Sequence, residues 1–229
     1  MVRLGRGYPV HILKTAPLLL PPVFDNSVDL SAAELGFNPS ISTSGSITLG
    51  AAPKRGCIVY FSSRTGSQDP TGQQACSIGG SAATLLGFLA INTEQGFWIY
   101  GSTGLPSGAC AIAASVGNGF NTGRSLEVAV LSYTGCSTLT GVMGTVTTST
   151  TQSQTVSSNA LEMVAQGFGG AQSGIFASYT GGTQRKNLQS SSGFTELVVG
   201  DAPGAASVTQ SCTSPANAPW APGAVRIAA

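Results

Sequence analysis

The segment LEVAVLSY, residues 126–133, gives the clearest indication of the fold class, because its apolar residues alternate with a period of two. In an extended strand, side chains two positions apart point to the same face of the sheet. Leu126 therefore shares a face with Val128 and Val130, while Glu127 lies on the opposite face. We expect the face that contains Leu126 to contact the core, as in one strand of an antiparallel sheet.

Similar short runs, rich in Val, Ile, Leu and Thr, recur from about residue 42 onward and are separated by Gly-, Ser- and Asn-rich turns. No segment of the body shows a sustained helical period. The sequence therefore predicts an all-β fold, an antiparallel β-sandwich of jelly-roll type. The predicted strands span residues 46–50, 56–62, 75–78, 83–91, 96–100, 109–116, 125–133, 143–150, 161–167, 175–179, 194–199, 206–211 and 224–228.

The stretch TVTTSTTQSQTVSS, residues 145–158, is low in complexity but rich in β-branched threonine. We interpret it as a surface strand and hairpin rather than a flexible linker. Such a strand could also pair with the edge of another subunit.

The first part of the chain, residues 1–45, differs from the body, which is predicted as a single β-sandwich domain over residues 46–229. Five prolines interrupt this first part and favour extended conformations. One short helix is expected at SAAELGF, residues 31–37, with Ser31 as N-cap and Glu34 three positions later. The sequence thus predicts an extended, proline-rich N-terminal arm.

Large apolar residues in this arm follow neither a helical nor a strand period, so they cannot bury one another. We expect them to pack on the body of the chain or on a neighbouring subunit, while basic residues occupy the tip of the arm. A solvated leader is the alternative. The residues predicted to anchor the arm are Arg3, Arg6, Tyr8, Leu18, Leu19, Leu20 and Phe24.

Charged residues are scarce: they make up 8% of the 229 residues, and the net charge is +1. An ordinary soluble protein carries roughly a quarter. No basic stripe suggests nucleic-acid binding, and no apolar run approaches the roughly 18 residues of a membrane span. Arg124, Arg185 and Lys186 are interpreted as solvated. Hydroxyl and small side chains must therefore cover most of the surface, which suits packing against other protein.

No local motif in the sequence indicates acid–base or nucleophilic chemistry, although some of the scattered carboxylates could converge in space as a pair for glycoside hydrolysis. The single histidine, His11, lies in the arm, and no serine sits in a GxSxG motif. Glu127 and Glu162 are expected to face solvent, and Asp69 and Asp201 to stabilise turns rather than bind calcium. We therefore predict no enzyme, and no catalytic, cofactor-binding or metal-binding residue.

Five cysteines are widely spaced and form no CxxC or Cys–His cluster, which argues against a zinc or redox site. They are interpreted as small buried hydrophobes. A disulfide that involves Cys76 or Cys110 stays open as an alternative.

Aromatic residues are the remaining functional lead. Phe97 should face away from Trp98 and Tyr100, which share one face of a predicted strand. Core packing is the favoured role for Trp98 and Tyr100, and stacking against a glycan is the alternative. Trp220 is expected to fix the last strand to the body.

Six segments of the chain stand out as motifs: GRGYPV at residues 5–10, IGGSAATLLG at 78–87, GLPSGA at 104–109, GRSLEVAVLSYTG at 123–135, VVGDAPGAASV at 198–208 and PWAPGAVRI at 219–227. Together they resemble the minor tail proteins of phages that infect actinobacteria, especially mycobacteriophages. The resemblance spans nearly the whole chain, but its motifs are strand-and-turn patterns rather than active-site signatures. It implies a structural component of the virion, built of β-sandwich domains and located in the tail or its tip.

This resemblance favours a minor tail protein that assembles into virions in the cytoplasm of its bacterial host. Its partners would be other tail or head subunits and further copies of itself. Two alternatives are a carbohydrate-binding adhesin that contacts host cell-wall glycan and a capsid decoration protein.

Overall fold

The computed structural model describes residues 20–35, 40–64, 74–117, 124–171, 175–191 and 193–229. These residues form antiparallel strands and loops and contain no helix, so the predicted all-β antiparallel class is confirmed. The strands are β1 (Val23–Asp29), β2 (Ala32–Leu35), β3 (Ser40–Leu49), β4 (Gly56–Arg64), β5 (Gln74–Ile78), β6 (Ser81–Ala82), β7 (Thr84–Ala90), β8 (Gln95–Thr103), β9 (Gly108–Gly117), β10 (Arg124–Thr134), β11 (Thr138–Met143), β12 (Thr147–Val156), β13 (Glu162–Gly170), β14 (Ser178–Thr180), β15 (Thr183–Gln189), β16 (Glu196–Pro203) and β17 (Val208–Ala228).

The strands form three sheets. The middle sheet has the order β1-β10-β4-β8-β7, and β2 also pairs with β10. The serine-rich sheet has the order β3-β9-β5-β6. The curled sheet has the order β11-β17-β13-β16-β15, and β12 and β14 pair with β17 as well.

The middle sheet lies between the other two, which explains its very apolar strands. On β10, Leu126 and Val130 pack in one core cluster with Ile112 of the serine-rich sheet. The opposite face contributes Leu131 to a second cluster with Val225 of the curled sheet. The predicted core face of β10 is therefore confirmed, but the other face is buried too.

Burial on both faces of β10 also overturns one prediction about charge. Glu127 was expected to face solvent, yet only 3% of its surface is exposed. Its neighbours on the same face belong to the core between the middle and curled sheets, and this position in the middle of the fold leaves the carboxylate little access to water.

The curled sheet folds back over its own outer face through the long strand β17. Residues 208–213 of β17 pair with β12, whereas residues 220–228 pair with β13. Phe168 and Trp220 are buried between these two layers. The two separate strands predicted at 206–211 and 224–228 are therefore parts of one continuous strand.

The N-terminal part of the described chain belongs to the body as well. The predicted helix at residues 31–37 is wrong over its described part, because Ala32–Leu35 forms β2 and pairs with β10. Pairing with an exposed strand edge here outweighs a local capping signal. β1 and most of β3 also lie within the predicted arm, so its described residues from Val23 onward are largely sheet.

Candidate functional site

The predicted anchoring residues fall into two groups. Arg3, Arg6, Tyr8, Leu18 and Leu19 lie outside the described residues. Leu20 is 66% exposed and makes an accessible apolar side chain just before β1.

Phe24 instead packs on its own chain. Its ring meets Tyr133 edge-on, with ring centroids 5.9 Å apart, and the guanidinium of Arg185 lies 3.6 Å from its ring centroid. Phe24 therefore packs on the body of its own chain, which is one of the two places expected for the apolar residues of this arm, and it fixes β1 to that body. Its role in anchoring another subunit stays a prediction.

Phe24, Tyr133, Arg185 and Asp201 form what we call the Arg185 cluster, which joins the middle and curled sheets. Arg185 Nη2 lies 2.8 Å from Asp201 Oδ1, and the Tyr133 hydroxyl donates a 2.9 Å hydrogen bond to Asp201 Oδ2. Burial, helped by the nearby Asp201 carboxylate, raises the pKa of Tyr133 well above its usual range. The phenol therefore stays protonated and keeps donating to the carboxylate.

Two predictions change at this cluster. Asp201 was expected in a turn, but it lies in β16 with a side chain only 1% exposed. Arg185 was expected to be solvated, but it neutralises that buried carboxylate. The sequence gives no local signal for the pair, because the bulge between Gln184 and Lys186 turns Arg185 away from a regular alternation.

The Arg185 cluster lies close to residue 20, where the described part of the chain begins. Pro22 is buried, and its Cα lies near Gly135 at the end of β10. Leu20 and Val23, by contrast, are 66% and 60% exposed. Two exposed apolar residues thus lie close to the contacts that hold Phe24 on the body.

The outer face of the serine-rich sheet is the second notable surface, and we call it the serine-rich face. None of the four strands of this sheet contains a charged residue. A shallow trough of about 360 Å³ lies on it. The outward side chains that β3, β5 and β9 contribute to the serine-rich face are all small. They are Ser40, Ser42, Ser44, Ser46 and Thr48 from β3, Ala75 and Ser77 from β5, and Ala109, Ala111, Ala113 and Ser115 from β9.

A larger polar cleft of about 770 Å³ lies where β1, β2 and β10 approach β15. Asp29 and Glu127 both line it, together with Asn187 and Ser190. The Asp29 carboxylate accepts hydrogen bonds from the Ser31 amide at 2.8 Å and the Ser31 hydroxyl at 2.7 Å. Within the described residues, no group of three His, Cys, Asp or Glu side chains is placed to hold a metal ion.

The aromatic residues of β8 occupy the core. Trp98 is 0% exposed and Tyr100 is 6% exposed, and both stack on Phe61, with ring centroids 5.2 and 5.5 Å apart. Phe97 lies on the opposite face, as predicted. The glycan-stacking alternative for Trp98 and Tyr100 is therefore wrong, because neither ring offers a face to a ligand.

Glu162 was also expected to face solvent, but it is buried at the start of β13. The Arg226 guanidinium donates to both carboxylate oxygens, at 2.7 and 3.0 Å. These hydrogen bonds lower the pKa of Glu162 below its ordinary value and raise that of Arg226.

All five cysteines are buried and free, which confirms their interpretation as small hydrophobes and shows no disulfide. Burial raises the pKa of Cys76 and of Cys136 to about 12. Their thiols are therefore protonated, and hence poorly nucleophilic, near neutral pH.

Within the described part of the chain, no helix has the length and apolar character needed to cross a membrane. No protein-family model, curated protein or solved structure matches this chain.

Proposed function

We propose that this chain is a structural protein of a bacteriophage virion, a minor tail protein anchored by its N-terminal arm and packed through its β-sandwich body. The proposal includes a proline-rich arm over residues 1–45 and a jelly-roll arrangement of the body. It also includes partners of the same kind, namely other tail or head subunits and further copies of this chain.

The observation that carries the proposal is the serine-rich face. Burying a charged side chain in an interface removes its hydration and needs a matching partner. A face of serine and alanine has less hydration to lose than a charged face, provided that its hydroxyls find hydrogen-bond partners, and it lets a second surface approach closely. The interior of stable interfaces is likewise poor in charged residues.

The Arg185 cluster supports the anchoring part of the proposal. An arm transmits a firm attachment only if its base is fixed to the body. Phe24 is held between Tyr133 and Arg185, and the exposed Leu20 and Val23 lie directly beside this fixed point. The arm would thus continue from a rigid base onto a neighbouring subunit.

Labelling of purified virions with an antibody to this chain tests the virion assignment. Label on the tail is expected. Virions that lack the protein contradict the proposal, and label confined to the head replaces the tail assignment with capsid decoration.

Deletion of residues 2–19 tests the anchoring role separately. The deleted protein is expected to keep its unfolding temperature but to be lost from virions. Leu20→Ser with Val23→Ser should weaken incorporation, whereas Leu161→Ser, at a 49% exposed site outside the arm, serves as the matched control. Normal incorporation of the deletion variant contradicts anchoring by the arm.

A further inference from the structure

Strand β3 forms one edge of the serine-rich sheet, and its outward backbone groups can be identified from the hydrogen bonds. The Gly79 amide donates to the Ala111 carbonyl at 2.8 Å, so the backbone groups of Ala111 face β5. Ser46 lies opposite Ala111 in the pairing of β3 with β9. Its amide and carbonyl must therefore point away from β9, and the same holds at every second residue, including Ser42 and Ser44.

This edge lacks the features that usually keep strand edges from pairing. Charges, prolines and bulges are the common protections, and the ten-residue strand β3 has no charge, no proline and no shift in its register with β9. Several other outer strands carry such features: β15 contains Arg185, Lys186 and a bulge, and β1, β7 and β12 each contain a register shift. The shorter outer strand β11 carries none of them. At one end of β3, the Asn26 side chain donates to the Thr48 carbonyl at 3.3 Å.

The sequence of β3 also reads nearly the same in both directions around Ser44. The residues are SISTSGSIT at positions 40–48. Reversal about Ser44 places Ile41 opposite Ile47 and Ser42 opposite Ser46. Next to Ser44, the reversal places Thr43 opposite Gly45. These two residues differ in size, but both are uncharged.

We propose that β3 pairs with β3 of a second copy of this chain, antiparallel and with a twofold axis at Ser44, so that two four-stranded serine-rich sheets become one continuous sheet. This interface names one partner for the proposed virion protein, namely a second copy of the same chain. Its biological setting rests on the proposed virion role.

The proposed pairing gives the outward backbone groups of β3 hydrogen-bond partners, and it places similar side chains next to each other on both faces of the sheet. Ser44 exchanges two main-chain hydrogen bonds with its symmetry mate, and Ser42 and Ser46 exchange the others. Ile41 and Ile47 lie next to each other on the core side, while the serines remain on the outer face. No like charges meet, so an isologous contact carries no electrostatic cost.

Cysteine cross-linking of the purified full-length chain tests the register. In Ser44→Cys the two introduced thiols lie opposite each other, with Cα atoms about 5.5 Å apart, within the range that a disulfide spans. In the control Ser42→Cys the two thiols are displaced by four residues, or about 13 Å. The five native cysteines are buried and should not interfere.

Under mild oxidation, Ser44→Cys is expected to give mainly disulfide-linked dimer, and Ser42→Cys mainly monomer. The double variant Ser42→Cys/Ser46→Cys should link again, since these positions face each other. Equal linking of Ser44→Cys and Ser42→Cys, or no linking of Ser44→Cys, overturns the proposed pairing.

Charge substitutions test the same axis without covalent chemistry. Sedimentation of the wild-type chain is expected to show a dimer, and Ser44→Lys or Ser44→Glu alone should shift it to monomer, because like charges meet at the axis. An equimolar mixture of the two variants should restore the dimer. A monomeric wild-type chain, or a dimer that both variants leave intact, contradicts β3 pairing, yet neither result changes where the protein lies in labelled virions.

Discussion

The serine-rich sheet and the curled sheet cover opposite faces of the same middle sheet, but their own outer faces differ. The curled sheet is closed by its own chain, because β12, β14 and the first part of β17 fold over it. Trp220 and Gln166 are buried between its two layers. The serine-rich sheet has no such cover among the described residues, and its outer face carries only small uncharged side chains.

The curled sheet therefore contributes mainly to the stability of the molecule, whereas the serine-rich sheet is available for contact with another molecule. The curled sheet uses aromatic packing, buried glutamines and two ion pairs, and all of these contacts are made within one molecule. The Gln166 amide, for example, donates to the Gln154 carbonyl at 3.1 Å across the two layers. Within the described residues, the serine-rich sheet has an uncovered outer face and an unpaired edge strand, β3, and a second molecule can use both.

The largest effect is expected from removing the central aromatic ring of the curled sheet. Trp220→Ala should lower the free energy of unfolding by about 3–5 kcal/mol, because the ring is fully buried, with its centroid 4.5 Å from that of Phe176. Urea unfolding measures the change. Trp220→Phe should recover most of the loss, since the ring makes contacts rather than hydrogen bonds. A change below 1 kcal/mol for Trp220→Ala would mean that the cover contributes little.

The next effect concerns the Arg185 cluster. Arg185→Met should cost about 2–3 kcal/mol, because it leaves the Asp201 carboxylate buried without its cation. The cost is below that of a fully buried pair, since 23% of the Arg185 side chain is exposed and water can partly replace it.

A double variant tests whether the unpaired Asp201 carboxylate causes this loss of stability. Arg185→Met combined with Asp201→Asn should be more stable than Arg185→Met alone, because the remaining side chain is neutral. Amide hydrogen exchange in β1 should be faster in Arg185→Met, as the Phe24 contact is lost. Unchanged exchange in β1 would show that Arg185 does not hold this strand.

The alternation of apolar residues was enough to predict the all-β class and most strand positions. The segment LEVAVLSY could not show that both faces of β10 are buried, because the charged Glu127 interrupts the second face. Only the contact of the curled sheet with that face makes β10 a middle strand. The layer order therefore depends on long-range pairing, which local periodicity does not contain.

The prediction of two separate strands at residues 206–211 and 224–228 was wrong for a related reason. Pro219 and Pro222 favour a break, since proline cannot donate to a sheet. In the structure they lie where β17 changes partners, with Pro219 opposite Thr148 of β12 and Pro222 opposite Phe168 of β13. A continuous strand tolerates them at this transition.

The candidate sites show the same limit. The near-palindrome around Ser44 is visible in the sequence, but only the sheet order makes β3 an edge strand. The contact of Phe24 with Arg185 could not be predicted from the sequence, because Arg185 is far away along the chain. Composition predicted an uncharged surface correctly, but it did not say which face would carry it.

A smaller effect depends on pH and involves only the curled sheet. Arg226 lowers the pKa of Glu162 in the folded chain below its ordinary value of 4.5. A carboxylate with a lowered folded-state pKa stabilises the fold above its unfolded-state pKa, and this contribution is lost as the pH falls through the folded-state value. Glu162→Gln should therefore cost about 1 kcal/mol at pH 7 and almost nothing near pH 2.

Urea unfolding at the two pH values measures this loss. The control Glu94→Gln removes a more exposed pair, in which Arg64 Nη2 lies 2.9 Å from Glu94 Oε2. It should cost less than about 0.5 kcal/mol at either pH. A pH-independent cost for Glu162→Gln would contradict a role for its ionised form.

The smallest effect on stability is expected on the serine-rich face. Ala113 points to solvent from β9, while its neighbour Ala114 is buried in the core below. Ala113→Lys should change the free energy of unfolding by less than about 0.5 kcal/mol, whereas the control Ala114→Lys should prevent stable folding, because it buries an unpaired charge. If the face docks onto another virion subunit, Ala113→Lys should nevertheless reduce incorporation into particles, since the lysine would lose its hydration in the interface. Normal incorporation of this folded variant would show that the serine-rich face remains in contact with water in the virion, and that the lack of charge on it serves something other than docking.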